Sequence, residues 1–233
     1  MPHRALHLAA AKKEVVKNLT RWKGFRPSLL AEREQTHNYV KFGKRFIDNF
    51  KHSFYKGKHT FLIDLHRSFG ESPLSVSLAF NTLGAEAHTR IAFETRIEFK
   101  KNEVFISALQ GKPGKGKQIS EFEQIVGMPI AKYFVTEIEN QAKANKYHRV
   151  VFPAPEALAA YKSPNPLGEL NDRGKSLMEK YAERKLSEKE TQELNHLLEQ
   201  TREKIRRRIH KTYTSVAKDL GYTHAGHIFV KEL

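Results

Sequence analysis

The chain has no cysteine among its 233 residues, which excludes disulfide scaffolds, thiolate metal sites and cysteine nucleophiles, and suits a reducing cytoplasm. No run approaches the roughly 20 apolar residues that a bilayer requires, so no membrane span is expected. The apolar stretch "LHLAAA" near the N-terminus is shorter than a secretory signal and runs straight into Lys12 and Lys13, so it reads as a helix. There is no H-E-x-x-H pair, no serine in a nucleophile-elbow context and no pair of carboxylates placed for glycoside hydrolysis. His3 with His7, at helical spacing, and His224 with His227, about a turn, lack a carboxylate-histidine cluster around them, and no metal is predicted.

Acid is scarce relative to base. The 41 Lys and Arg against 26 Asp and Glu give a net charge of +15 and a pI near 9.8, a field that attracts polyanions such as RNA. The excess is uneven, because residues 1–60 hold 14 Lys or Arg against Glu14, Glu32, Glu34 and Asp48, which is +10 of the total. This divides the chain into a basic helical region, 1–58, and an α+β domain, 59–233, with a helical insertion near 165–200. In the first region Tyr39, Phe42, Phe46, Phe50 and Phe54 recur every three or four residues, placing an aromatic stripe on one helix face flanked by Lys41, Lys44, Arg45 and Lys51. Such a stripe is the mark of a docked helix, although rings of this kind also stack on bases. Trp22 and Phe25 are less regular and are expected at the surface.

The hydropathy period then falls to two. Leu74, Val76, Leu78 and Phe80 alternate with small or polar residues, as do Ile91, Phe93, Thr95, Ile97 and Phe99, and "KKNE" turns the latter segment into "VFISALQ". These predict half-buried strands and an antiparallel hairpin over 88–110, preceded by a strand in "TFLIDLHRSF". A helical period follows from Ile130 through Phe134, Ile138 and Ala142, with Pro129 at its start, and a buried strand is expected at 148–152. "SPNPLGELNDRG" reads as a loop. Beyond it, Ser187 to Glu190 has the form of a capping box, and an apolar face from Leu194 through Ile205, Ile209, Tyr213 and Val216 predicts a helix of about 32 residues ended by Gly221, with a last strand in "HIFV". The order predicts an α+β fold with a mostly antiparallel sheet of about six strands, flanking helices, N-terminal helices and a long C-terminal helix.

Between the hairpin and the helix lies "LQGKPGKGKQIS", residues 109–120. Gly111, Gly116 and Lys117 have the spacing of a nucleotide-binding P-loop, but that loop needs a hydroxyl after its lysine to ligate magnesium, and here Gln118 follows. An antiparallel hairpin also precedes the loop, where a P-loop needs a parallel sheet, and "FLID" with its Asp64 lies upstream. A triphosphatase is therefore disfavoured. Two readings stay open: a loop of backbone N–H groups beside a helix that binds another phosphate, or a solvated basic connection.

The element order over residues 60–233 resembles the GNAT acyltransferase superfamily. "GMPIAKYFVTEIENQAKANKYHRVVF" (127–152) is similar to that family's coenzyme-binding helix and following strand, and "AKDLGYTHAG" (217–226) to its closing helix-glycine-aromatic turn. The resemblance implies acyl-coenzyme A as donor, with the pyrophosphate held by a glycine loop whose matching residues are Gln124 and Gly127, followed by Pro129 where the family has a glycine or alanine. Gln110, Gly111, Lys112, Gly114, Gly116 and Lys117 are the other glycine-rich candidate for that coenzyme loop. Ala217 stands where the family often places its general-acid tyrosine, and Tyr213, one turn earlier, is the nearby substitute. A coenzyme cleft of this kind implies a V-shaped splay between the strand at 104–110 and that at 148–152. The strand ending in "LQG", with a second glycine three residues on, is also similar to the VirK-like family.

Finally, "REKIRRRIHK" sets Arg202, Arg206, Arg207, Arg208 and Lys211 on the helix around Ile205 and Ile209, as a track for nucleic-acid phosphates or as a solvated face. The leading expectation is an acyl-coenzyme A-dependent N-acyltransferase whose acceptor the sequence does not identify, a group borne on RNA or another polyanion being one candidate. The alternative is a non-catalytic nucleic-acid-binding protein on a degenerate scaffold of the same kind.

Overall fold

The computed structural model describes residues 53–56, 59–66, 74–82, 90–100 and 102–233. The expected N-terminal helices, with His3, His7, Trp22, Phe25 and the aromatic stripe up to Phe50, lie outside the described residues. Phe54, at the end of that stripe, is in a strand: Ser53–Lys56 forms β1, paired antiparallel with β2, His59–His66. Its ring meets Phe122 edge-on at 5.0 Å, so the residue is buried as expected but by a different element.

The remaining strands are β3 (Leu74–Thr82), β4 (Arg90–Lys100), β5 (Glu103–Gly111), β6 (Arg149–Pro153), β7 (Thr223–Ala225) and β8 (Ile228–Glu232). They form one sheet ordered β1-β2-β3-β4-β5-β6-β8-β7. The architecture is α+β, but the described residues form eight strands where about six were expected, and the sheet is mixed. Every neighbouring pair is antiparallel except β5 and β6. A parallel pair cannot be closed by a tight turn and needs a crossover, which is supplied by α1 (Gly116–Val126) and α2 (Ile130–Ala144).

Three further helices follow β6: a single turn, α3 (Ala159–Lys162), then α4 (Asp172–Ala182) and α5 (Glu188–Leu220). The last has 33 residues, about 50 Å at 1.5 Å per residue. Its ends are fixed by the local chemistry legible in the sequence. The Ser187 side chain accepts from the Glu190 N–H while Glu190 reaches back to the Ser187 N–H, and Gly221, at φ 75°, caps the other end in the left-handed region. Aromatic contacts dock the helices on the sheet: Phe61 lies 5.9 Å from Phe122 of α1, Phe93 stacks on Phe134 of α2 at 5.4 Å, and Phe152 lies 6.0 Å from Tyr213 of α5. Among the described residues no helix is long and apolar enough to cross a membrane.

Candidate functional site

The parallel pairing of β5 with β6 joins Glu103, Val104 and Phe105 to Arg149, Val150 and Val151 and then stops, although β5 continues to Gly111 and β6 to Pro153. The two strands part there, leaving one edge of β5 without a strand partner. Tyr213 of α5 reaches into this fork, and its hydroxyl accepts the Leu109 N–H at 2.8 Å. Lys112 donates its N–H the opposite way, to the Ala92 carbonyl of β4 at 2.9 Å. Strand alternation therefore turns the Gly111 N–H to the same open edge as that of Leu109.

Tyr213 is buried, and burial pushes its phenol up to about 12 against the smaller lowering effect of the Leu109 bond. The group therefore keeps its proton near neutral pH. Because the oxygen accepts from the backbone, the O–H remains as a donor directed elsewhere.

The fork opens into a cleft of about 920 Å³. One wall is the end of β5, the glycine turn, Ile119 and Glu123 of α1 and the start of α2; the other is α5 from Ile205 to Asp219, with the 160–170 segment beside it. The glycine segment is a formed turn running directly into α1. Lys115 donates to the Lys112 carbonyl at 3.2 Å, with Pro113 and Gly114 at the two central positions and Gly114 at φ 71°, the pattern of a type II turn. Gly111 is closely approached for a different reason: a Cβ there would meet the Ile119 Cδ1 at 3.1 Å, where the strand end packs onto the helix, so that side chain would have to give by a few tenths of an ångström. The first turn of α1 contains no acidic residue, and its N-cap, Lys115, makes no side-chain cap, so the leading amides of the helix keep their ability to meet an anion.

Helix α1 itself was not expected, since the helical period was read only from Ile130. The signal is the spacing of Ile119, Phe122 and Val126, masked by the glycines and lysines at its start. Because α1 begins at Gly116, the glycine turn sits beside a helix N-terminus and not in a long link ahead of α2.

The expected coenzyme residues fall into two groups. Gln110, Gly111, Lys112, Gly114 and Gly116 line the cleft together with Tyr213. Lys117, Gln124 and Gly127 are not part of that lining. Gln124 accepts from Lys56 on β1, and Gly127, at φ 74°, closes the C-terminus of α1 with its N–H on the Glu123 carbonyl at 2.8 Å. Glu123 in turn caps α2 by accepting the Ile130 N–H at 2.9 Å.

Lys112 carries a constraint that the sequence did not reveal. Its Nζ donates at 2.7 Å to Glu94, a buried carboxylate on β4 that also accepts from Ser75 at 3.0 Å and from Arg96 at 3.2 Å. Burial alone would raise the Glu94 pKa, but these three donors outweigh it and hold the carboxyl at about 2. The strand alternation assigned Glu94 to the polar side of β4, with no hint of a partner on the glycine turn.

Two ion pairs lie along the cleft. Lys132 of α2 reaches Asp219 of α5 at 3.5 Å, and the Arg208 guanidinium clasps Glu169 with both its terminal nitrogens, one of them at 2.8 Å. Of the expected phosphate track, Arg202 is paired with Glu199 at 3.1 Å, and Arg206 with Glu199 and Glu203. Arg207 and Lys211 are exposed and have no ion-pair partner among the described residues. No group of three or more His, Cys, Asp or Glu that could hold a metal ion occurs among the described residues.

No protein-family model, curated protein or solved structure matches this chain.

Proposed function

We propose that the cleft binds an acyl-coenzyme A and that the protein transfers its acyl group to an amine. The observation that carries this reading is the fork: a parallel strand pair that parts beside a glycine turn, with backbone donors on the open edge and a protonated phenol among them. It has the form that the likeness to the GNAT superfamily leads one to expect, and its volume is within the range of small-molecule sites.

In this reaction the amine nitrogen bonds to the thioester carbonyl carbon and the carbon–sulfur bond breaks. The amine loses a proton, the departing sulfur gains one, and nothing is oxidised or reduced. The open β5 edge supplies the Gly111 N–H for the carbonyl oxygen, and the Tyr213 O–H is the donor to the sulfur. The uncapped start of α1, with Gly114 and Gly116, is suited to the pyrophosphate. Lys112 contributes by fixing the turn through Glu94 more than by meeting the anion itself.

Thermal-shift and calorimetric titration of the whole chain with free coenzyme A and acetyl-coenzyme A tests the proposal. A ligand present at a hundred times its Kd stabilises the folded state by about 2.7 kcal/mol. Absence of binding at millimolar ligand would eliminate it.

A second reading, binding of RNA or another polyanion, is favoured by the charge: residues 1–60 alone carry +10. Its signature is an affinity that falls steeply with salt, and salt-insensitive or absent binding removes it.

A further inference from the structure

Among the side chains that line the cleft, those that are buried are apolar almost throughout. Phe93, Leu109, Ile130, Leu170, Ile205 and Val216 make most of this floor, and the one polar atom a buried side chain brings to it is the Tyr213 hydroxyl. Ile205, Ile209 and Val216 lie along one strip of α5, over about 16 Å at 1.5 Å per residue. Charge is confined to the rim. Lys132 is held by Asp219 and Arg208 by Glu169, so neither cation is left facing the floor unpaired. Lys211, also on the lining, is exposed and has no ion-pair partner among the described residues.

A long apolar floor, with the unpaired cation of Lys211 and the uncapped start of α1 on its lining, complements a ligand that is anionic at one end and hydrocarbon at the other. A two-carbon acyl group would cover little of this floor and leave the rest against water. Resting on the coenzyme reading above, we infer that the acyl group is a hydrocarbon chain, laid from the Leu109–Tyr213 fork along the α5 strip towards Ile209 and Ile205.

The test is calorimetry on the full chain with free coenzyme A, acetyl-, octanoyl- and dodecanoyl-coenzyme A, and dodecanoate alone, each below its micellar concentration. A fully buried methylene is worth roughly a fourfold gain in affinity. With half that efficiency, dodecanoyl- should bind at least about a hundredfold tighter than acetyl-coenzyme A. Ile209→Gln, on a half-buried position, should remove most of that gain while leaving free coenzyme A binding within about twofold.

Equal affinities across the series, with free coenzyme A still bound, would overturn the inference and leave the coenzyme reading standing; the floor would then belong to an apolar acceptor. Dodecanoate binding as well as its coenzyme ester, without binding of free coenzyme A, would overturn the coenzyme reading and with it this assignment of the chain. No binding by any member removes both. The wild-type series decides the matter even if the variant fails to fold.

Discussion

From Glu188 to Lys204, α5 runs beside α4 and is bordered by charge: residues 172–204 hold eight Lys or Arg and eight Asp or Glu, so this helical hairpin is electrically neutral in a chain of net charge +15. Arg173 bridges to Glu193 across it at 2.6 Å, and Lys180 reaches Glu190. From Ile205 to Leu220 the same helix turns a buried strip of Ile205, Tyr213, Val216 and Ala217 to the core and the cleft. One continuous helix thus serves two regions, one stitched by exposed ion pairs over a thin apolar seam at Leu177 and Leu194, the other held by burial. Exposed pairs contribute about 0–1 kcal/mol each, whereas a buried aromatic contributes several. The hairpin should therefore be the softer region, and its neutrality makes it a poor contributor to any polyanion surface.

The largest effects should come from the apolar residues. Phe152→Ala removes a fully buried ring lying 4.6 Å from Tyr222 and 5.3 Å from Phe229, and should lower global stability by about 3–5 kcal/mol in denaturant titration. Leu177→Ala deletes an equally buried side chain, but α4 packs chiefly against α5. Its cost should appear as faster amide exchange over 172–200 with the main transition little changed. If both variants shift the main transition alike, the two regions are not separable.

Tyr213→Phe leaves the Leu109 N–H without its acceptor and should cost about 1–3 kcal/mol, with faster exchange at the Leu109 amide specifically. In the proposed reaction it should also lower turnover more than donor affinity.

Glu94 gives a pH signature to the cleft side. Its native pKa, about 2, lies below its ordinary value of 4.5, so the native state binds fewer protons than the unfolded one. The stabilisation is complete above pH 4.5 and is lost as the pH falls towards 2. Lys112 and Arg96 are about one-third exposed, so solvent screening keeps the effect of Glu94→Gln to about 1–2 kcal/mol. That variant should flatten the acid limb of a stability–pH curve.

At the hairpin, Ser187→Ala should cost about 1 kcal/mol by removing the helix cap, and Arg173→Ala less than that, with an effect that vanishes in high salt. A salt-resistant loss at Arg173 would show that packing, not charge, joins α4 to α5.

What the sequence revealed follows the range of the signal. The β4–β5 hairpin, α2, and α5 with its Ser187 and Gly221 caps are written in local periods and capping residues, and they stand where those marks place them. The short strand β1 was absorbed into a helical spacing because four residues show no period of their own. Helix α1 was hidden by the glycine turn that starts it. The β5–β6 pairing, the Leu109–Tyr213 bond and the Glu94–Lys112 pair join residues from 18 to 104 positions apart, and no spacing rule reaches that far. The cleft residues on the turn were legible as glycines and lysines of anion-binding type; that Lys112 is committed to Glu94 was not.

The strand seam that joins the two parts of the sheet is only three residue pairs long. Mechanically, β1–β5 and β6–β8 are two plates on a short hinge, and the Tyr213–Leu109 bond is a strut across the open side. A body wedged into the gap acts through a long lever on a small pivot, so it bears directly on the angle between the plates. The amides of Val104, Phe105, Val150 and Val151 are where a change in that angle should first register.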